Sequence, residues 1–213
     1  MTRPSADLPK PVNTLDRIAF AGPMCSGKTT LANILVDNYG YRMFRFAGKL
    51  KEIANDLYGT IEKNNEGRRI LQELADDLKK WDPLLFTNYL KRQMAEYILY
   101  EGVENARIVV DDMRFMHEFE ALKESGFTII GVTCDEDIRR GRIQQLYPDT
   151  EDARMEHGSE TGWKDMPFDY WIKNNGYDGI VGLRDILYTF EYDPEKLPHR
   201  VPVYRWRAVA NGG

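Results

Sequence analysis

A chain of 213 residues is long enough to bury one good core with a smaller appendage, and 42% hydrophobic with 30% charged residues is an ordinary globular composition. A formal net charge of −5 argues against a protein that grips long nucleic acid through many phosphates, so stable nucleic-acid binding is not expected. Cys25 and Cys134 make no disulfide framework and sit in no metal-ligand spacing, and no run reaches the roughly 18 apolar residues of a membrane span, so a cytoplasmic protein with no membrane partner is expected.

Residues 1–16, with Pro4, Pro9 and Pro11 and few apolar side chains, read as a flexible tail. Folding is expected to begin at Arg17, where Ile18-Ala19-Phe20-Ala21 forms a short apolar run, as for a buried parallel strand. Gly22-Pro23-Met24-Cys25-Ser26-Gly27-Lys28-Thr29-Thr30 follows and matches the phosphate-loop pattern G-x-x-x-x-G-K-[ST] in full, with a strand before it and a helix after. The two glycines let the backbone curl so that successive N–H groups point at an oxyanion, and the helix starting near Lys28 adds the positive end of its dipole. Gly22, Met24, Cys25, Ser26, Gly27, Lys28, Thr29 and Thr30 are therefore the expected cradle for a polyphosphate. Lys28 would bridge the β- and γ-phosphates, and Thr29 would offer its hydroxyl to Mg²⁺. The alternative is a Gly-rich turn that merely caps a helix.

Lys28 to Asn38 spaces Leu31, Ile34 and Leu35 on one helical face, and Asn38-Tyr39-Gly40 stops it. Tyr41 to Phe46 alternates apolar residues with Arg42 and Arg45, which suits a second strand, and Ala47 to Tyr58 reads as a helix closed by Gly59. The polar run between Thr60 and Gly67 reads as a loop. Arg68 to Trp81 carries Ile70, Leu71, Leu74 and Leu78 at helical spacing, and Pro83 breaks it before another helix from Leu84 to about Tyr100. These helices form an insertion over 47–101, the expected second lobe.

Arg107 to Asp111 is a third strand, followed by a helix from about Met116 to Ser125 and a fourth strand from Phe127 to Thr133. Asp135 to about Leu146 is a basic helix, and Tyr147 to Met166 lacks sustained period and reads as a mobile loop, so 135–166 is a lid region. Asp169 to Lys173 makes a fifth strand and Gly179 to Phe190 a closing helix, which ends a domain spanning 17–192. Residues 193–213 form an extension of ambiguous structure. Alternating strands and helices argue for an α/β fold: a three-layer αβα P-loop NTPase with a mostly parallel five-stranded sheet and its site at the carboxyl ends of the strands.

Asp111 and Asp112 fall at such an end, where a carboxylate holds Mg²⁺ through water or takes the proton of an attacking hydroxyl; either could instead cap the next helix. Arg114 could clamp a phosphate with two parallel hydrogen bonds or pair with Glu118 at the surface. Arg139, Arg140 and Arg142, beside a loop carrying Arg154, could close over a transferring phosphoryl group or form a solvated basic face. Phe46 and Lys49 lie where an acceptor would enter, and the Phe46 ring could stack on a base or fill core. His117, His157 and His199 show no ligand or triad spacing and read as structural or solvent-exposed.

Several segments together resemble the bacteriophage deoxynucleoside monophosphate kinases: Phe46-Ala47-Gly48-Lys49-Leu50-Lys51, Arg69-Ile70-Leu71-Gln72-Glu73-Leu74, Val110-Asp111-Asp112-Met113-Arg114-Phe115, His157-Gly158-Ser159-Glu160 and Ile172-Lys173-Asn174-Asn175-Gly176. The resemblance runs from about Arg17 to Phe190. It implies a parallel core, a helical monophosphate-binding lobe and an arginine-bearing lid, with Mg²⁺ and ATP on Gly22 to Thr30. Arg114 with Asp112 would face the acceptor phosphate, Phe46, Lys49, Arg68 and Arg69 would line the acceptor pocket, and Arg139, Arg142 and Arg154 would supply the lid. A homodimer is likewise implied. Where relatives commonly place a Gly-Thr pair and an arginine, this chain has Ala75-Asp76-Asp77-Leu78-Lys79-Lys80, which leaves that contact to Lys79 or Lys80 as point charges. The expected activity is ATP-dependent phosphorylation of deoxynucleoside 5′-monophosphates to diphosphates for phage DNA synthesis. Rival readings are a kinase of a 5-hydroxymethyl pyrimidine in phage DNA, a kinase of another small metabolite, or a nucleotide-dependent switch; the N-K-x-D motif of GTPase switches is absent.

Overall fold

The computed structural model describes residue 8 and residues 15–61, 64–148 and 162–191. Strand β1 (Arg17–Ala21) leads into α1 (Lys28–Tyr39), then come β2 (Arg42–Phe44), α2 (Gly48–Tyr58), α3 (Asn65–Trp81) and α4 (Leu85–Glu101). Strand β3 (Ile108–Val110), α5 (Met116–Glu124), β4 (Thr128–Thr133), α6 (Glu136–Leu146), β5 (Tyr170–Lys173) and α7 (Tyr177–Glu191) follow. The five strands form one sheet in the order β2-β3-β1-β4-β5, and every neighbouring pair is parallel, with Ala19 opposite Val110 and Ala21 opposite Gly131.

Side chains alternate across a strand, so the apolar runs of β1, β3 and β4 feed both faces of the sheet. Ala19, Ala21, Ile108, Val110 and Ile129 pack with Leu90, Met94 and Ile98 of α4 and Phe119 and Leu122 of α5. Ile18, Phe20, Val109, Ile130 and Val132 pack on the other side with Leu31 and Leu35 of α1 and Leu183, Ile186 and Leu187 of α7. This is the three-layer arrangement, and each of the larger side chains (Val, Leu, Ile, Phe, Met) taken fully out of water stabilises the fold by about 1.5–3 kcal/mol. Leu8, within the segment expected to be a free tail, is 8% exposed in the α4-side cluster.

Two boundaries depart from the sequence reading for physical reasons. Strand β2 ends at Phe44 and not at Phe46, because Arg45 and the amides of Phe46 and Ala47 are captured by the aspartates that follow β3, which turns the chain off the sheet edge. Helix α3 starts at Asn65, inside the stretch expected to be a loop, because the Asn64 side chain accepts the Gly67 N–H at 2.9 Å and caps it. Elsewhere the ends shift by a residue or two, and α1 closes on Gly40 at φ 72 as its sequence suggested. Among the described residues no helix is long and apolar enough to cross a membrane. Of the expected mobile loop, Met166 is 4% exposed and packs with the core, while 149–161 lie outside the described residues.

Candidate active site

The phosphate loop leaves β1 at the carboxyl edge of the sheet and is bent by residues in the left-handed region: Gly22 (φ 142), Cys25 (φ 61) and Gly27 (φ 95). Gly22 is required by space as well, since a Cβ there would lie 2.1 Å from the Val132 carbonyl oxygen of the neighbouring strand. A Cβ at Gly27 would lie 2.0 Å from Nδ2 of Asn174.

Asn174 follows β5, is 5% exposed, and donates from Nδ2 to the Ser26 carbonyl at 3.0 Å, while its Oδ1 accepts the Gly176 N–H at 3.3 Å. Arg142 of α6 donates from one terminal nitrogen to the Cys25 carbonyl at 3.2 Å and from the other to the Asn174 carbonyl at 3.0 Å. Two elements from the far side of β4 therefore hold consecutive peptide planes of the loop. The role expected for Arg142, a lid arginine that arrives with closure, differs from this placement on the loop's own backbone.

Lys28 curls over the loop and donates to the carbonyls of Gly22 at 2.8 Å and Pro23 at 2.7 Å. The Ser26 hydroxyl is fully buried and lacks a hydrogen-bond partner among the described residues. A flexible ammonium, an orphaned hydroxyl and a glycine-bent loop at a helix N-terminus fit a polyphosphate anion.

Beside the loop, Thr29 donates its hydroxyl to Oδ2 of Asp111 at 2.7 Å, and Asp111 is 3% exposed. Arg45, just beyond β2, grips the same carboxylate with two bonds, Nε to Oδ1 at 2.7 Å and Nη2 to Oδ2 at 3.0 Å. Hydrogen bonding to Asp111 pushes the Arg45 guanidinium above its ordinary pKa, against the effect of burial. A threonine hydroxyl and a carboxylate in contact beside a phosphate loop suit a hard divalent cation such as Mg²⁺. Sequence reading missed Arg45, because an arginine in an alternating strand reads as a solvent-side residue and its partner lies 66 positions away.

Asp112 takes a different place from Asp111. Its two oxygens accept the backbone N–H groups of Phe46 at 2.9 Å and Ala47 at 3.0 Å, which staples the turn between β2 and α2. Burial raises its carboxyl above the usual range, opposed by those two hydrogen bonds. Asp112 was expected at the metal and facing the acceptor phosphate; both its oxygens are instead engaged by backbone.

Arg114 is exposed, and its backbone N–H donates to Oε2 of Glu118 at 2.7 Å, joined by the Phe115 N–H at 3.1 Å. Glu118 thus folds back over the first turn of α5, and burial lifts its carboxyl to about 7. Across from this turn, Nζ of Lys79 lies 4.8 Å from the centre of the Phe115 ring, which stacks on His117 at 5.6 Å. Burial, with Lys79 nearby, lowers the His117 pKa. Lys80 turns away to Asp77 at 2.6 Å, so of the two lysines only Lys79 reaches the loop after β3.

The other expected acceptor residues are scattered. The Phe46 ring is 5% exposed in the core, which decides between its two readings in favour of packing. Lys49 pairs with Glu52 at 2.5 Å, and Arg69 lies 3.9 Å from Glu73 on the exposed side of α3. The Arg68 guanidinium sits 4.6 Å from the Tyr147 ring, joining α3 to the end of α6. Arg139 makes two bonds to Glu136 at 2.9 and 2.8 Å, and Arg140 adds one at 3.1 Å. Thr30 is exposed on α1, and Met24 is half-buried in the loop. Arg154, His157 and His199 lie outside the described residues.

Comparison with known proteins agrees with this architecture. The chain is 29% identical over 123 residues to the Holliday junction branch migration complex subunit RuvB of Salinibacter ruber, covering 56% of this chain and 31% of that protein. It thus spans about a third of the length of that relative. It is 28% identical over 142 residues to a protein of Acanthamoeba polyphaga mimivirus named "Putative deoxynucleotide monophosphate kinase", covering 54% of this chain and 72% of that one. Among solved structures, TT1252 from Thermus thermophilus superposes with a TM-score of 0.50 at 16% identity, covering 85% of this chain and 98% of its own. A family model described as an AAA domain matches residues 18–161, well over half of the sequence. The chain therefore belongs to the AAA domain family, with its phosphate loop mounted on an all-parallel three-layer α/β fold.

Proposed function

We propose that the protein transfers the γ-phosphoryl group of ATP to the phosphate of a deoxynucleoside 5′-monophosphate, giving the diphosphate. The observation that carries this reading is the state of the two carboxylates after β3. Asp111 is held by Thr29 and Arg45, and Asp112 by the amides of Phe46 and Ala47. An alcohol acceptor needs a base to take its proton, whereas a phosphate monoester, with a second pKa near 6, is already a dianion at neutral pH and needs none. What a phosphate acceptor needs is cancellation of charge and alignment. Lys79, 4.8 Å from the Phe115 ring, and Arg114, the residue before Phe115, would suit the acceptor's phosphate as a point charge and a fork.

In this reading the donor lies on Gly22, Met24, Cys25, Ser26, Gly27, Lys28, Thr29 and Thr30, with Lys28 neutralising the β- and γ-phosphates. Thr29 and Asp111 would hold Mg²⁺, which supplies charge neutralisation at the phosphoryl oxygens when bound. Arg142 and Asn174 keep the loop's shape fixed, so little reorganisation accompanies binding. The mimivirus relative supports the acceptor class, since the match spans most of that protein, whereas the RuvB match spans a third.

The test is an acceptor screen with ATP and Mg²⁺: common deoxynucleoside monophosphates, their ribose counterparts, 5-hydroxymethyl pyrimidines free and in DNA, and small hydroxylated metabolites. Diphosphate formation from deoxynucleoside monophosphates is expected. Transfer only to an alcohol, in DNA or in a metabolite, would overturn the reading.

A further inference from the structure

The Arg45–Asp111 pair has a place that a surface ion pair would not have. Asp111 is nearly fully buried, and one of its oxygens is a single hydrogen bond from Thr29, the residue after the phosphate-loop lysine. Its charge therefore stands beside the position that a polyphosphate would enter, and repels it. The guanidinium offsets that charge with a two-bonded fork, from Nε to Oδ1 and from Nη2 to Oδ2. Arg45 comes from the end of β2 and Asp111 from the end of β3, so neither the loop nor α1 has to move to make the pair. The Arg45 side chain is 40% exposed, against 3% for Asp111, so the arginine is the partner with room to withdraw.

We propose that Arg45 is a positioning residue of the polyphosphate site: it is the standing counter-cation of Asp111, and lets a nucleoside di- or triphosphate settle in the loop before its metal. Metal and guanidinium then serve the same carboxylate in turn. Without Arg45, Asp111 is an uncompensated buried charge, and nucleotide binding becomes conditional on Mg²⁺. The inference rests on the donor half of the proposed reaction and is independent of the acceptor, so the acceptor screen can fail while this proposal holds, and the reverse.

The experiment is calorimetric titration of ADP into wild type, Arg45→Met, Arg45→Gln and the Arg45→Met/Asp111→Asn double variant, each with Mg²⁺ and with EDTA. An uncompensated carboxylate beside a polyphosphate opposes its binding through a medium far less polar than water, so Arg45→Met is expected to lose at least about tenfold in ADP affinity in EDTA. With Mg²⁺ its affinity stays near wild type, and the double variant regains metal-free binding. Thermal melts check folding, and Arg45→Gln, uncharged but able to donate to Asp111, carries the comparison if Arg45→Met does not fold. Equal losses with and without metal would mean an ion pair that only anchors the β2–α2 turn, and would overturn the proposal. So would unchanged affinity in EDTA, or a double variant as weak as the single one.

Discussion

Glu118 offers a direct test of how the turn bearing Arg114 is held. Its carboxylate is 6% exposed and accepts the N–H groups of Arg114 and Phe115, while burial lifts its pKa from 4.5 to about 7. A carboxyl group whose folded pKa is raised gives its full stability below the unfolded value, and that stability is lost as the pH rises through the folded value. At about 1.4 kcal/mol per unit, the loss attributable to Glu118 between pH 5 and pH 7 is about 2 kcal/mol. Glutamine keeps an oxygen to accept both amides but does not ionise. Urea denaturation of wild type and Glu118→Gln at several pH values should therefore give a stability difference that moves by about 2 kcal/mol in favour of glutamine from pH 5 to pH 7. Asp112 shifts in the same direction and is present in both proteins, so the difference between them reports the loss of the Glu118 charge, including its repulsion with Asp112. Parallel stability curves would refute the claim that this carboxyl is strained toward neutrality by its surroundings.

Lys28→Ala should abolish phosphoryl transfer and leave the circular dichroism spectrum unchanged; wild-type turnover in that variant would remove the phosphate loop from the mechanism. Asn174→Ala strips the donor from a buried carbonyl of the loop, so a loss of about 1–3 kcal/mol in urea stability and weaker ADP binding are expected, and an unaltered ADP isotherm would show that the loop keeps its shape without β5.

Much of the molecule was legible because its signals are local. The apolar runs at Ile18 to Ala21, Ile108 to Val110 and Phe127 to Thr133 are short and set between turn or helix signals, as strands buried on both faces are, and the spacing of Leu31 and Leu35 or Leu183 and Leu187 marks helices against them. The phosphate loop was legible for a related reason: its residues are contiguous, and the glycines are demanded by the backbone they make. Burial periodicity, however, says nothing about which polar groups meet. Asp111 and Asp112 are equivalent in sequence, yet as the chain leaves β3 one turns toward Thr29 and Arg45 and the other to the amides of Phe46 and Ala47.

Arg45 looked like an ordinary polar residue, and Asn174 stood in a segment of the resemblance without a role of its own, until the parallel crossovers brought their partners, 66 and 148 positions away, within hydrogen-bond reach. Lys79 and Lys80 carry the same charge one residue apart, and the helical turn between them decided which one looks at Phe115. Sequence alone thus determined the elements and the phosphate loop, which depend on burial and backbone shape over a few residues. Only the tertiary structure decided how the charges around that loop are paired, because electrostatic partners are chosen by distance in space, and that distance is set by the order of strands in the sheet.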